Sequence, residues 1–252
     1  MEIRGGAALV TGGLGGLGRA IGARLRDEGC SLAVAGGVGD GVEELADEVG
    51  GVAVVADLAT RDGVSRVVDA VGGVDLLVAG VGGSGVGAFG GFGLDDIDRV
   101  IDVGLRGPLV LTRLFGESMV ARGRGHVVFV SSLAGKAAGP DAALHSAVAF
   151  GVRGFALGLR QDWAPLGVGV SCVNVGAVGE AETADGVALP AGFRPKSPED
   201  VAAAVVRAVR HDRAEMDVAD PVMRAGVVFG QLAPQAAARL SRFAGSDQAG
   251  GL

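Results

Sequence analysis

Thr11-Gly12-Gly13-Leu14-Gly15-Gly16-Leu17-Gly18 is the stretch on which the fold turns. An apolar run, Ala7–Val10, leads into it, and a helical pattern from Arg19 to Glu28 leads out. Strand, glycine turn and helix together make a first βα unit able to hold a phosphate. The glycines let the backbone turn tightly and approach an anion, and the helix start presents unpaired N–H groups and the positive end of its dipole. The chain carries 47 glycines, so the spacing needs support from the segments around it.

That support comes in chain order. Ser31–Ala35 is an apolar run after Gly29, which reads as a helix C-cap, and Gly36–Gly41 reads as loop. Val42–Val49 has helical spacing, Val52–Val55 is a third strand closed by Asp57-Leu58, and Arg61–Val71 places Val64, Val67, Val68 and Val71 on one helix face. Asp75–Ala79 is a fourth strand. Leu94–Met119 is a long helix, with a kink expected at Pro108. Val127–Val130 is a fifth strand ending at Ser131-Ser132, Ala142–Trp163 another long helix, and Val168–Val175 a sixth strand. Ser197-Pro198-Glu199-Asp200 has the capping serine, first-turn proline and early acids of a helix start, and that helix runs to about His211. Met216–Val218 is a last short strand and Gln235–Phe243 a terminal helix. Alternating helices and continuously apolar strands predict an α/β domain. It is a doubly wound parallel sheet of about seven strands in three α/β/α layers, with ligands at the strands' carboxyl ends. One domain spans 1–252, with a substrate lid over about 176–196 and a C-terminal tail over about 220–252.

Composition narrows the partners. Net charge is −7 and no basic cluster occurs, which speaks against nucleic acid. Cys30 and Cys172 lack metal-ligand spacing and read as buried free thiols of a reducing compartment; no metal site is expected. Leu76–Leu94 is uncharged and nearly long enough to span a membrane, but its glycines mark a strand followed by a loop. No signal-peptide pattern precedes the first strand, so the expectation is a soluble, cytoplasmic protein without membrane contact.

On these motifs the chain resembles the short-chain dehydrogenase/reductase superfamily over almost its whole length. The residues that carry the likeness are Thr11-Gly12-x-x-x-Gly16-x-Gly18, Asp57-Leu58, Val127–Ser132 and Ser197–Val209. The resemblance implies an NAD(P) site built from Thr11, Gly12, Leu14, Gly15, Gly16, Leu17, Gly18, Asp57, Leu58 and Gly80, with Asp57 and Leu58 at the adenine. It implies a catalytic serine at Ser132 and a small-molecule substrate. It also implies a homodimer or homotetramer built on the two long helices, or a heteromer with an active homologue.

The catalytic positions depart from the family. Thirteen residues after Ser132, where the family has tyrosine, stands His145, and four further on, where it has lysine, stands Ala149. The chain contains no tyrosine. The family's helix asparagine aligns with Gly104. A phenol with a pKa of about 10 needs a neighbouring ammonium to work at neutral pH, whereas an imidazole titrates near 6.5 unaided. The exchange of both residues is therefore chemically coherent. Ser132 and His145 are the expected catalytic pair, moving a proton at a carbonyl or hydroxyl group. Dehydration, isomerisation, cyclisation, carbon–carbon cleavage or a non-standard NAD(P)-dependent hydride transfer all fit. An ordinary Tyr/Lys-dependent dehydrogenase is not expected. In the alternative reading His145 only fills a vacated slot, and the chain is an inactive binding or scaffold subunit. His126 and His211 are expected at the surface or at caps, and Lys136 in solvent. With Ala35-Gly36-Gly37 ending the second strand, neither NAD nor NADP is selected.

Overall fold

The computed structural model describes residues 1–12, 15–80, 85–179, 194–237 and 239. Seven strands form one all-parallel sheet: β1 (Ala7–Thr11), β2 (Ser31–Gly36), β3 (Val52–Val55), β4 (Leu76–Gly80), β5 (Gly125–Ser132), β6 (Val168–Val175) and β7 (Glu215–Val218). Their spatial order is β3-β2-β1-β4-β5-β6-β7. The chain winds outward from β1 to β3, crosses back to β4, then winds the other way. The order therefore reverses between β1 and β4, where Thr11 pairs with Ala79.

Helices cover both faces, which is why the strands are apolar without alternation. On one face α1 (Gly16–Asp27), α2 (Val42–Val49) and α7 (Pro198–Arg210) bury Ile21, Leu25, Leu45, Val201 and Val205 against Val10, Val34, Val128 and Val173. On the other, α3 (Arg61–Val71), α5 (Gly107–Arg122) and α6 (Ala143–Trp163) bury Val67, Phe115, Val148 and Val152 against Leu9, Leu77, Val127 and Phe129. Phe129 is fully buried, and its ring meets Phe155 of α6 edge-on, with centroids 5.8 Å apart. Burying one such ring stabilises the fold by about 1.5–3 kcal/mol and ties α6 to β5.

The expected caps are present. Gly29, at φ +86°, ends the chain's run out of α1, and Ser197 forms a capping box with Asp200 at the start of α7. The helix expected over Leu94–Met119 is divided. α4 (Leu94–Ile101) passes through a wide π-type turn, Asp102–Arg106, into α5. The disturbance lies just ahead of Pro108, whose missing N–H leaves the Gly104 carbonyl without its helical donor.

Three expectations are corrected here. His126 is neither a surface nor a capping residue. It is 1% exposed at the start of β5, where Nε2 lies 2.8 Å from Ser171 Oγ, and that hydroxyl donates to the Arg213 carbonyl at 2.6 Å. Burial pushes its pKa down to about 4, so it is held neutral. Of the thiols, Cys172 is buried and pushed up to about 12 by burial, whereas Cys30 is only half-buried. A helix absent from the sequence reading, α8 (Pro221–Leu232), follows β7 and buries none of its residues. Of the terminal helix expected over Gln235–Phe243, residues 235–237 and 239 are helical, and the rest lies outside the described residues. Among the described residues no helix is long and apolar enough to cross a membrane.

Candidate functional site

The reversal between β1 and β4 opens a crevice at the strands' carboxyl ends. Its closeness is set by two glycines. A Cβ on Gly12, which sits at φ +65°, would stand 2.8 Å from the Gly80 carbonyl oxygen. A Cβ on Gly80 would stand 2.8 Å from the carbonyl oxygens of both Thr11 and Gly12. A cavity of about 90 Å³ begins here, lined by Thr11, Gly12, Leu17, Gly80, Ser131, Ser132 and His145, with Val10, Ile21, Val78, Val130 and Val175 as its apolar floor.

The geometry fits an anion at the start of α1. Gly15 is the N-cap, no side chain caps the helix, and the first turn holds no acidic residue. Among the described residues no side-chain cap competes for the first-turn N–H groups, which suits an outside acceptor. Among the described residues nothing stands within 4 Å of where a Cβ on Gly15 would be. Gly18 is buried, and Leu17 faces the cavity. Leu14, expected in the same turn, lies outside the described residues. Ser131 supplies a second sign of a missing partner: its hydroxyl is buried, lines the cavity and has no hydrogen-bond partner. A dinucleotide's pyrophosphate and nicotinamide end fit these features.

Ser132 and His145 meet at this cavity from different elements. Ser132 ends β5 and its Oγ accepts from the Ala134 N–H at 3.1 Å, which fixes the oxygen and leaves the hydroxyl proton to donate. His145 stands in the first turn of α6. Its backbone N–H donates to the Gly85 carbonyl at 3.1 Å, and a Cβ on Gly85 would stand 2.8 Å from the His145 nitrogen, so the chain after β4 packs tightly onto this turn. Ala149, one turn along, is fully buried, with its carbonyl and methyl against Gly135. Asp102 is engaged elsewhere. Its carboxylate takes Arg106 Nε at 2.6 Å.

Asp57 and Leu58 lie away from the cavity, past the end of β3. Asp57 Oδ1 accepts from the Ala59 N–H at 3.0 Å and from Arg99 Nη1 of α4 at 2.6 Å. Partial burial works against the charged form, but those two donors outweigh it and hold the Asp57 carboxyl below the usual carboxylate range. Arg106 also donates to the Ala59 carbonyl, so two arginines of the divided helix clamp this loop.

Lys136 is not a solvated loop residue. Its Nζ reaches both carboxylate oxygens of Asp217, at 2.7 and 2.9 Å. Asn174 Nδ2 donates to Asp217 and Glu215, and Arg153 Nε donates to Glu215 at 2.7 Å. This charge-balanced network joins the turn after Ser132 to β6, β7 and α6, and so holds the serine's support in place. Sequence reasoning missed it, as it missed Ser131 and Arg99. Only Ser131 had a signal, its place beside Ser132 at the strand end. Among the described residues no group of His, Cys, Asp and Glu is placed to hold a metal ion.

Comparison with known proteins agrees with this construction. The family model for short chain dehydrogenase matches residues 6–187. The chain belongs to the short-chain dehydrogenase family. A 2-dehydro-3-deoxy-L-rhamnonate dehydrogenase (NAD(+)) from Sphingomonas is 35% identical over 168 residues, 64% of this chain and 67% of that protein. Nodulation protein G of Rhizobium meliloti is 34% identical, over 72% of this chain and 77% of its own length. The glycine betaine reductase of Emericella nidulans is 32% identical over 82% of this chain, but the match spans only 18% of that much longer protein. Among solved structures, the 3-ketoacyl-(acyl-carrier-protein) reductase of Brucella melitensis complexed with NADH superposes with a TM-score of 0.76 at 26% identity, covering 86% of this chain and 97% of that one. A candidate gluconate 5-dehydrogenase from Beutenbergia cavernae, with NADP bound at low occupancy, gives 0.75 at 32% identity, over 92% and 100%.

Proposed function

We propose that this chain is a dinucleotide-binding, oxidoreductase-like enzyme of the family, in which Ser132 and His145 carry the proton chemistry at a small carbonyl or hydroxyl compound. One observation carries the reading: Ser132, His145 and the close-approach glycines Gly12 and Gly80 line a single cavity at the strand-order reversal. The NADH and NADP bound by the two structural neighbours support a nicotinamide cofactor here.

Thr11, Gly12, Gly15, Gly16, Leu17 and Gly18 would hold its pyrophosphate side, Gly80 would let it lie close, and Asp57 and Leu58 would border the adenine. Bound there, the nicotinamide supplies or accepts a hydride. Ser132, its oxygen fixed by the Ala134 N–H, donates to the substrate oxygen. The His145 imidazole gives a proton to that oxygen in reduction and takes it back in oxidation. It needs no ammonium beside it, which agrees with Ala149 being a packing residue. The apolar floor keeps water from the reacting carbon and strengthens the polar contacts above it.

The test is turnover of a panel of small ketones and secondary alcohols with NADH, NADPH and their oxidised forms, for the natural chain and His145→Ala. Turnover that requires a dinucleotide and falls at least about a hundredfold in the variant supports the reading. Full turnover by His145→Ala refutes the acid/base role. Turnover independent of dinucleotide replaces hydride transfer with a redox-neutral reaction, a dehydration, isomerisation, cyclisation or cleavage, at the same pair.

A further inference from the structure

The outer helices of this chain follow a rule that one of them breaks. α2 buries Val42, Leu45, Ala46 and Val49 and turns Glu43, Glu44, Asp47 and Glu48 outward. α3 buries Val64 and Val67 and exposes Arg61, Asp62, Arg66 and Asp69. Apolar inside and charged outside is what water demands of a surface helix. In α8 the half-buried positions are Met223, Val227 and Gly230, a single narrow stripe along the helix. A Cβ on Gly176 would stand 2.7 Å from Met223 Sδ, and a Cβ on Gly230 would stand 3.2 Å from Ala137 Cβ. The stripe therefore fastens α8 to the chain just past β6 and to the turn after Ser132. Val175, the residue before Gly176, lines the cavity, so α8 runs beside that same end of the sheet.

The rest of α8 is exposed, and it is apolar. Val222 is 61% exposed, Val228 53%, Phe229 43% and Leu232 81%. Arg224 is the one charged residue of the helix. A continuous apolar face of this kind marks a contact surface. Charge narrows what it contacts. From Pro221 to Ser246 the sequence holds Arg224, Arg239 and Arg242 and no acidic residue, in a chain whose net charge is −7. A second copy meeting α8 with α8 would answer arginines with further arginines. An anionic lipid surface answers both features: its acyl boundary takes the apolar face, and its headgroups take the guanidinium groups. The same headgroups repel the acidic remainder of the chain, so this edge is the one they admit.

We propose that α8 docks this chain on an anionic membrane surface, setting Val222, Val228, Phe229 and Leu232 into the headgroup boundary and Arg224 against lipid phosphates. At 12 residues the helix lies in the interface and does not cross the bilayer. The sequence-based expectation of no membrane contact rested on overall composition, which averages this one segment with an acidic chain. The proposal is independent of the dinucleotide reading, since none of its residues belongs to the cavity.

The experiment is co-sedimentation of the full chain with vesicles of phosphatidylcholine alone and of phosphatidylcholine mixed with phosphatidylserine, at low and at raised salt. It compares the natural protein, Arg224→Gln, and a double variant carrying Phe229→Ser and Leu232→Ser. The natural chain should bind the phosphatidylserine vesicles at least about tenfold more tightly than the neutral ones, and added salt should narrow the gap. Arg224→Gln should weaken that binding about fivefold, the worth of one cation at such a surface. The double variant should weaken it at least about tenfold, through lost apolar contact. All three side chains are exposed, so melting temperatures should not move, which separates lost docking from lost fold. Equal binding to both vesicle types, or binding unmoved by either variant, overturns the proposal. So does a chain that ignores both vesicles, whether because its own last residues cover α8 or because a second copy does, the latter seen as a dimer that the double variant splits.

Discussion

The sheet carries a serine–histidine pair at each end, and the two behave as opposites. At the amino end, His126 and Ser171 make a good hydrogen bond of 2.8 Å, but the serine gives its proton to the Arg213 carbonyl and both side chains are sealed. Because the serine is the donor there, His126 Nε2 must carry the proton between them, which sets the tautomer. At the carboxyl end, Ser132 and His145 line an open cavity, and Ser132 accepts a backbone N–H while keeping its own proton. The better-formed pair is thus the inert one. A polar pair whose bonds are all satisfied inside the fold is a structural joint. Chemistry needs the pair that lines space a ligand can enter.

The largest expected effect follows from exchanging the roles. His145→Ala should lower turnover about 10²–10⁴-fold, the usual contribution of a positioned acid/base, and leave the melting temperature nearly unchanged. His126→Ala should do the reverse, lowering the melting temperature and leaving turnover of the folded protein intact. Steady-state kinetics and calorimetry on the two variants check both halves. Equal losses of turnover in the two would break the contrast.

Acid should find the amino end next. The unfolded His126 imidazole titrates near 6.5 and the folded one at about 4, because burial disfavours its charge. Between those values only the unfolded chain takes up the proton. This group's contribution is therefore complete above pH 6.5 and is lost as the pH falls toward 4, by roughly 3 kcal/mol in all. Urea unfolding at neutral pH and near pH 4.5 measures it, and a variant without the imidazole should lack that part of the slope.

How far these ends could be read from the chain differs in the same way. Contiguous signals transferred well: the strand and the helix on either side of the Thr11–Gly18 stretch, the sixth strand over Val168–Val175 and the Ser197 cap all stand where the pattern put them. Ser132 and His145, singled out by spacing against a family pattern, line one cavity. What escaped depends on partners distant along the chain. His126 is sealed by a serine 45 residues away, Lys136 is held by an aspartate 81 residues away, and Asp57 is taken by an arginine 42 residues away. A lone polar residue looks solvated until the fold supplies its partner. The α8 helix escaped for another reason. It packs no residue fully, so no buried core contact fixes it.

The smallest effect gives the finest version of the contrast, because the same substitution is made at both ends. Ser171→Ala removes a fully buried hydroxyl that both accepts from His126 Nε2 and satisfies the Arg213 carbonyl. Leaving those two buried groups unpaired should cost about 1–3 kcal/mol of stability, and turnover should not change. Ser132→Ala removes one acceptor from a single N–H at the edge of a cavity that water can enter, so its stability cost should stay below about 1 kcal/mol. Its effect should instead appear in turnover, through loss of the donor to the substrate oxygen. Denaturant midpoints for the two variants decide the matter. If Ser132→Ala were as destabilising as Ser171→Ala, the carboxyl-end hydroxyl would be a structural joint like its counterpart, and the proton donor would have to be sought at Ser131, the hydroxyl that lines the same cavity without a partner.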